Sequence, residues 1–503
     1  MSLMKALWSS QKERKLDSNL EKMNIWFVVS EAEGLVKSGG LADVAKALPK
    51  ALQELGHQVA IVLPAYRSIP NKMDLPIILE TELTHWPHTR YQVRQGELDG
   101  VVVYLIDCDV YFDRPEMYAE HNQAYTDNGE RFGFFSAACL DILPKLNIKP
   151  TIIHANDWHT GLVPFLLKTR YREDPHFFGV KSVLTIHNAI FKGIFSYYQL
   201  EVIPELNLSG MEFLQYGHDH VSMLRAGIAF ADKINAVSPN YASELLTPLG
   251  SHGLVDDFVR RARDLHGIVN GCDYSEWSPL TDRYIPQTYH AERQSLTLGK
   301  SASKLALQQE LNLPQVTTPM FGMVCRLTHQ KGFHYLLPIL ESFLRNQVQV
   351  VIVGTGEPEI AAALHKIAAH YPDKLGFVET YSNRLAHLVE AGSDFFLMPS
   401  EFEACGLNQI YSMAYGTLPI VREVGGLKDT VQDYDKYPQQ ATGFGFQEPS
   451  PAALLITMQR ALLFYLQQPE EMLNFQIRAM SRDFGWRESA LEYLKMYRLA
   501  IFD

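Results

Sequence analysis

Short apolar runs alternate with amphipathic helical stretches along most of this chain, and the series is played through twice. That alternation admits little besides parallel βαβ units. Ile25 to Val29 reads as the first strand. A helix from Leu41 to Leu55 follows, with Leu41, Val44, Ala45, Leu48 and Leu52 on one face, and Val59 to Leu63 returns to the sheet. Val101 to Ile106, Thr151 to His154, Val183 to Ile186 and Ile234 to Val237 continue the series. After a glycine-flanked turn at Gly267 to Asp273, an irregular stretch from Ser278 to Tyr289 and a helix from Ser301 to Leu311, it restarts. Phe321 to Cys325, Val348 to Val353, Gly376 to Val378 and Phe395 to Met398 are its strands. The expectation is an α/β protein of two doubly wound domains, residues 24–267 and 268–485, with a hinge around 265–285. An extension over residues 1–23 precedes them, and a helix over 486–503 is placed to pack back on the first domain. A cleft between two such domains is the natural ligand site.

Composition narrows the function. A chain of 503 residues, 47% of them hydrophobic, has enough apolar material for two cores. A net charge of −12 argues against a surface for polyanions, so nucleic acid is excluded as a partner. The five cysteines (Cys108, Cys139, Cys272, Cys325 and Cys405) are widely spaced, without a CxxC pair, as suits a reducing compartment. The first 23 residues are too polar for a signal peptide, and no apolar run is long enough to span a membrane. A cytoplasmic protein without a membrane partner is expected.

The chemistry is expected in the second half. Asp394 to Met398 has the character of a buried parallel strand, and Leu407 to Tyr415 that of the helix after it; Glu403 lies between. Open α/β sheets bind ligands at such carboxyl ends. Leu418 to Val421, Gly425-Gly426 and a helix from Leu427 repeat the arrangement. Paired glycines let amides approach an anion, so Gly425, Gly426 and Leu427 read as a diphosphate cradle. Asp107-Cys108-Asp109 has the DxD form of a metal site but follows a first-domain strand, and is set aside. Gly354-Thr355-Gly356-Glu357 lacks the third glycine of a dinucleotide fingerprint and reads as a loop shaped for a nucleotide sugar or its helix.

Several blocks in order resemble bacterial glycogen synthases and plant starch synthases. They are Lys37-Ser38-Gly39-Gly40-Leu41-Ala42-Asp43-Val44, His154 to His159, Thr185 to Asn188, Val237-Ser238-Pro239, Asn270 to Asp273, Arg326 to Gly332, Phe402 to Gln409 and Gly425 to Val431. The resemblance implies a GT-B fold, two Rossmann-like domains facing across a cleft. It implies a retaining glucosyltransferase that moves glucose from ADP-glucose to an α-1,4-glucan such as glycogen, with no cofactor and no metal. It gives Glu403 an electrostatic or positioning role at the sugar, Arg326 and Lys331 the diphosphate, and His159 a hydrogen bond to the donor glucose. Lys37 and Gly40 would contact the donor, with Asp43 organising their loop. Asn270 would lie near the sugar, and Cys405, Gly406 and Leu407 would lie beside the donor, making the protein sensitive to bulky thiol reagents; separately, the position of Tyr381 after a second-domain strand suits stacking on the base.

The chain departs from the family pattern at Ser38, Asn156, Glu401, Ala404, Glu423 and Val424. Glu401, where arginine is usual, reads as solvent-facing. Two other readings stay open at this point: a GT-B enzyme using UDP-glucose or a small acceptor, and a catalytically weak glucan- or nucleotide-binding protein.

Overall fold

The computed structural model describes residues 22–503 other than 84, 85, 87, 88, 122, 208 and 381. The expected extension therefore lies, through residue 21, outside the described residues, as does Tyr381. Two compact units emerge. One comprises the described chain through Thr185 with Phe191–Ile234 and Leu494–Asp503; the other comprises Ile186–Ile190 and Asn235–Tyr493. Residues 235–267, expected in the first domain, thus belong to the second unit.

In the first unit, β1 (Asn24–Val28) leads through helix α1 (Gly40–Glu54) to β2 (Gln58–Pro64). Then come β3 (Ile77–Glu82), β4 (Arg90–Leu98), β5 (Val101–Asp107), helix α2 (Asn128–Lys145), β6 (Ile152–Asn156) and β7 (Lys181–Ile186). Among these seven strands of a nine-stranded sheet the order runs β7-β6-β1-β2-β5-β4-β3. Strands β7 to β5 in that order are parallel, as expected, but β4 and β3 are antiparallel. The purely parallel reading is corrected here. Asp99 and Gly100, both at positive φ (51° and 86°), close a two-residue hairpin between β4 and β5, and Asp-Gly is the sequence such a turn favours.

The hairpin also disposes of the DxD signal. Asp107, at the end of β5, accepts from Arg94 Nε of β4 at 2.5 Å, with Lys72 Nζ at 3.7 Å, and both Arg94 and Asp107 are buried. Asp109 is exposed. Among the described residues, no group of three or more His, Cys, Asp or Glu is arranged to hold a metal ion.

The second unit carries helix α3 (Pro239–Leu245) and helix α4 (Arg293–Glu310), then β8 (Met320–Val324), α5 (Phe333–Phe343), β9 (Gln349–Val353), β10 (Leu375–Val378) and α6 (Asn383–Gly392). It continues with β11 (Phe395–Met398), α7 (Asn408–Ala414), β12 (Leu418–Arg422), α8 (Gly425–Thr430) and β13 (Phe444–Phe446). Helix α4 begins well before the expected Ser301, because the Glu292 carboxylate caps it by accepting from the amides of Gln294 and Ser295. All sheet pairs are parallel, and the order β10-β9-β8-β11-β12-β13 is the 3-2-1-4-5-6 order of a Rossmann sheet. Side chains alternate between two buried faces. Phe321, Val350, Ile352, Phe395 and Leu397 pack with Phe333, Leu336 and Leu340 of α5 on one side. Met320, Val351, Val353, Phe396 and Met398 meet Leu307 of α4 and Leu385, Leu388 and Val389 of α6 on the other. Burial on both faces is why these strands read as continuous apolar runs.

The last helix, α9 (Trp486–Phe502), passes from the second unit into the first at Leu494. Within the first unit, Tyr497 Oη lies 2.7 Å from His154 Nδ1, and Lys233 Nζ donates to Asp503 at 2.7 Å. His154 is thereby a structural residue.

Removing one partner of a buried ion pair leaves an uncompensated charge. Asp107→Ala is expected to lower unfolding stability by about 3 kcal/mol, read from the urea midpoint. An unchanged midpoint would contradict the role given to the Arg94–Asp107 pair.

Candidate functional site

In a 3-2-1-4-5-6 sheet the chain leaves neighbouring strands β8 and β11 in opposite directions, opening a crevice at their carboxyl ends. After β8 come Cys325, Arg326 and a tight turn, His329–Lys331. Gly332 then starts α5 at φ +81°, where a Cβ would lie 2.0 Å from the carbonyl oxygen of Pro399. Only glycine allows the two loops to approach this closely. After β11 come Ser400 to Leu407. Between the loops lies a cavity of about 110 Å³ whose lining includes Cys325, Lys331, Ser400, Glu403, Gly406 and Leu407.

Lys331 Nζ donates to Glu403 Oε2 at 2.5 Å, and Ser400 Oγ donates to the same oxygen at 3.1 Å. Both members of the pair are largely shielded, with side chains 19% and 12% exposed. The amides of Gly406, at φ +75°, and Leu407 have no acceptor among the described residues. Gln409 Nε2 fixes this turn by donating to the carbonyls of Cys405 (3.1 Å) and Gly406 (3.0 Å), and Asn408 Nδ2 ties it to the Val324 carbonyl at 2.9 Å. A cation, a carboxylate and two open amides therefore converge on one small cavity. That set suits a ligand with an anionic part and a part that develops positive charge.

Gly425, Gly426 and Leu427 do something other than the expected anion cradling, because their amides are occupied. Gly425 N donates to Glu244 Oε1 of α3 at 2.9 Å. Gly426 N donates to the carbonyls of Glu403 (3.1 Å) and Ala404 (3.2 Å), and Leu427 N to that of Val424 at 3.0 Å. A Cβ at Gly426 would sit 2.3 Å from the Cys405 carbonyl oxygen. The paired glycines brace the Glu403 loop from behind. From α3 and the residue before it, Ser238 Oγ donates to the Ala404 carbonyl at 2.7 Å and Asn240 N to Asp429 at 2.7 Å. Burial raises the Glu244 carboxyl above its ordinary value, opposed by the Gly425 amide and Asn240.

Arg326 is exposed and makes no ion pair or hydrogen bond among the described residues, so its guanidinium is available to a ligand. Asn270 is buried against Cys405, its backbone amide facing the thiol. Glu401, expected to face solvent, keeps 38% of its side chain exposed but also accepts from the Tyr335 hydroxyl and lies 3.4 Å from His334 Nε2.

In the first unit, Lys37 Nζ lies 2.7 Å from Asp43 Oδ1 and 2.8 Å from Glu33 Oε2. Burial would pull its pKa down, but the two carboxylates outweigh burial and raise it. Gly40 opens α1. The amides of Ser38 and Gly39 both donate to Glu31 Oε2, and burial raises the Glu31 carboxyl. Asp43 and Glu33 thus both pair with Lys37, and Glu31 and Glu33 were missed. The position of Glu31 just past the carboxyl end of β1 was the available signal. His159 follows Asp157, a non-glycine residue at φ +54°, and is buried among Trp158 (ring centroids 4.0 Å apart), Tyr118 (4.7 Å) and Phe132 (4.9 Å).

Comparison with known proteins fits these two halves. A starch synthase catalytic domain model matches residues 24–260, and a group 1 glycosyl transferase model matches residues 307–476. A glycogen synthase of Vibrio cholerae serotype O1 is 79% identical over 483 residues, covering 96% of this chain and 100% of that relative. The chain belongs to the glycogen synthase family. A second glycogen synthase, from Vibrio parahaemolyticus, is 63% identical over 479 residues, covering 95% of this chain and 99% of its own length. Among solved structures, the catalytic domain of starch synthase IV from Arabidopsis thaliana, bound to ADP and acarbose, matches with a TM-score of 0.86 at 30% identity, over 96% of this chain and 100% of that one. A sucrose-phosphate synthase from Thermosynechococcus elongatus shares the fold, with a TM-score of 0.59 at 18% identity over 95% and 98% of the two chains. Membership of the glycogen synthase family makes the chain a glycosyltransferase of the GT-B fold, built from two Rossmann-like domains.

The expected sensitivity of Cys405 to thiol reagents is corrected by its surroundings. The residue is buried, and burial pushes its thiol up to about 12. The thiolate is the reactive species. Native protein at pH 7.5 should alkylate at Cys405 roughly a hundredfold or more slowly than unfolded protein, followed by peptide mapping after N-ethylmaleimide treatment. Rapid stoichiometric labelling of the native chain would contradict this.

Proposed function

We propose that this member of the glycogen synthase family transfers glucose from ADP-glucose to the non-reducing end of an α-1,4-glucan, with retention of configuration and without a metal or other cofactor. The observation that carries the reading is the Lys331–Glu403 pair beside the open amides of Gly406 and Leu407. The relatives' name as glycogen synthases and the ADP held by the starch synthase neighbour support the donor and the product.

On this reading, the donor diphosphate takes Lys331 and Arg326 as cationic partners and the two amides as hydrogen-bond donors. As the bond from glucose C1 to the diphosphate oxygen breaks, negative charge grows on that oxygen and is stabilised by fixed donors. Arg326 grips bidentately, while Lys331 acts as a point charge. Positive charge grows on the sugar, and Glu403 stabilises it. The acceptor hydroxyl attacks C1 from the face the diphosphate leaves, and its proton passes to the departing phosphate oxygen. Lys37, with Asp43 and Glu33 setting its position, adds a further donor-side cation, and His159 and Asn270 contact the glucose. We place the reaction in the cytoplasm. No helix among the described residues is long and apolar enough to cross a membrane.

Label transfer from ADP-glucose to glycogen in the presence of EDTA tests the proposal, with UDP-glucose in parallel. Rapid incorporation from ADP-glucose is expected; none from either donor, with folded protein, would overturn it. A charge-assisted hydrogen bond of about 1.5–3 kcal/mol corresponds to a rate loss of about ten- to a hundredfold on removal. Glu403→Gln and Lys331→Ala are each expected to show at least that loss in kcat in protein whose circular dichroism spectrum shows the fold retained. Near-normal turnover in Glu403→Gln would remove the role assigned to that carboxylate.

A further inference from the structure

Glu401 sits two residues before Glu403, yet it points into a separate cluster. Its amide donates to the Gln330 carbonyl at 2.8 Å, and Gln330 Nε2 returns a bond to the Phe402 carbonyl at 3.2 Å. Gln330 immediately precedes Lys331, so the turn carrying the cation and the loop carrying the carboxylate are stitched together here. Arg422, at the end of β12, holds the loop from the other side. Its Nε donates to the Ser400 carbonyl at 2.8 Å and its Nη2 to the Glu401 carbonyl. The Glu401 carboxylate then reaches α5, the helix that begins just past Lys331, through the Tyr335 hydroxyl and His334 Nε2.

His334 is set against this carboxylate in a particular way. Its ring stacks on that of His329 with centroids 3.6 Å apart and planes within 4°. Its Nδ1 is buried with no partner among the described residues. The His329 amide is in turn held by Glu357 at 3.1 Å. A neutral His334 carrying its proton on Nε2 donates to Glu401. Burial and the charge of His329 lower the pKa of His334, while Glu401 and the His329 backbone oppose them. The charged and titratable groups around the carboxylate are therefore His329, His334 and Tyr335 on the turn and α5, Arg422 at the end of β12, Glu357 ahead of the following helix, and the Lys331–Glu403 pair itself.

We propose that Glu401, tied to Tyr335 and His334, is a positioning residue that sets the Glu403 carboxylate against Lys331. The role rests on the glucosyl-transfer reading, in which the Lys331–Glu403 geometry is what the reaction uses. Glu401 touches neither reacting atom; it acts by fixing the ends of two loops that meet at 2.5 Å.

The test is steady-state transfer from ADP-glucose to glycogen, comparing wild type with Glu401→Ala and Glu401→Gln. Glu401→Ala should lower kcat about tenfold while leaving the donor KM within about twofold, the signature of an interaction used in the transition state rather than in binding. Glu401→Gln keeps an oxygen that accepts from Tyr335 and should restore most of kcat. A Glu401→Ala variant with wild-type kcat, or a Gln variant that fails to rescue, would overturn the positioning role. Wild-type enzyme assayed alongside separates the two ideas. If it transfers no glucose, the reaction assignment falls and the positioning role with it; if it is active and Glu401→Ala matches it, only the positioning role falls.

Discussion

Lys331 and Glu403 come from loops after different strands and meet at 2.5 Å. The rest of the second unit can be understood as the means of holding that meeting in place. The 3-2-1-4-5-6 sheet sets β8 and β11 side by side, so that the loops leaving them diverge around a common cavity. Gly332 lets the first loop pass against Pro399, and Gly426 lets α8 press against Cys405. Ser400 supplies a second hydrogen bond to the carboxylate, so neither charge is stranded in a shielded place. On the proposed reaction, this pair is poised: the ammonium turns to the diphosphate and frees the carboxylate to face the sugar.

Carboxylates of the protein itself occupy both glycine loops expected to face the donor. In the first unit Glu31 takes the amides of Ser38 and Gly39, and in the second Glu244 takes that of Gly425. The cations follow the same pattern, Lys37 being held by Asp43 and Glu33 and Lys331 by Glu403. Internal counter-ions keep otherwise unsatisfied donors in position, which is a form of preorganisation. Gly406 and Leu407, whose amides remain open among the described residues, line the Lys331–Glu403 cavity.

Much of the fold could be read from local pattern. Phe395 to Met398 was placed to the residue, because a short apolar run after Ser393-Asp394 and before Pro399 has few alternatives. Lys331 and Glu403 were legible because they follow buried strands at their carboxyl ends. The β4–β5 hairpin was missed although Asp99-Gly100 announces it; the βαβ rhythm on either side outweighed the turn. Gly425-Gly426 was read as an anion cradle because paired glycines look the same in sequence whether an amide approaches a phosphate or a carbonyl. Glu244 lies 181 residues from Gly425, and no periodicity links positions so far apart. Glu401 was assigned to solvent because its partners, Tyr335 and His334, lie on a helix that only the folded sheet brings near it.

The central claim is that Lys331 and Glu403 work as a unit, and a double-mutant cycle measures that directly. Lys331→Ala, Glu403→Gln and the double variant would be compared in glucose transfer from ADP-glucose to glycogen. A coupled pair predicts strong non-additivity, with the double variant about as slow as the slower single variant. Losses that simply multiply would show two residues acting independently and would contradict the account.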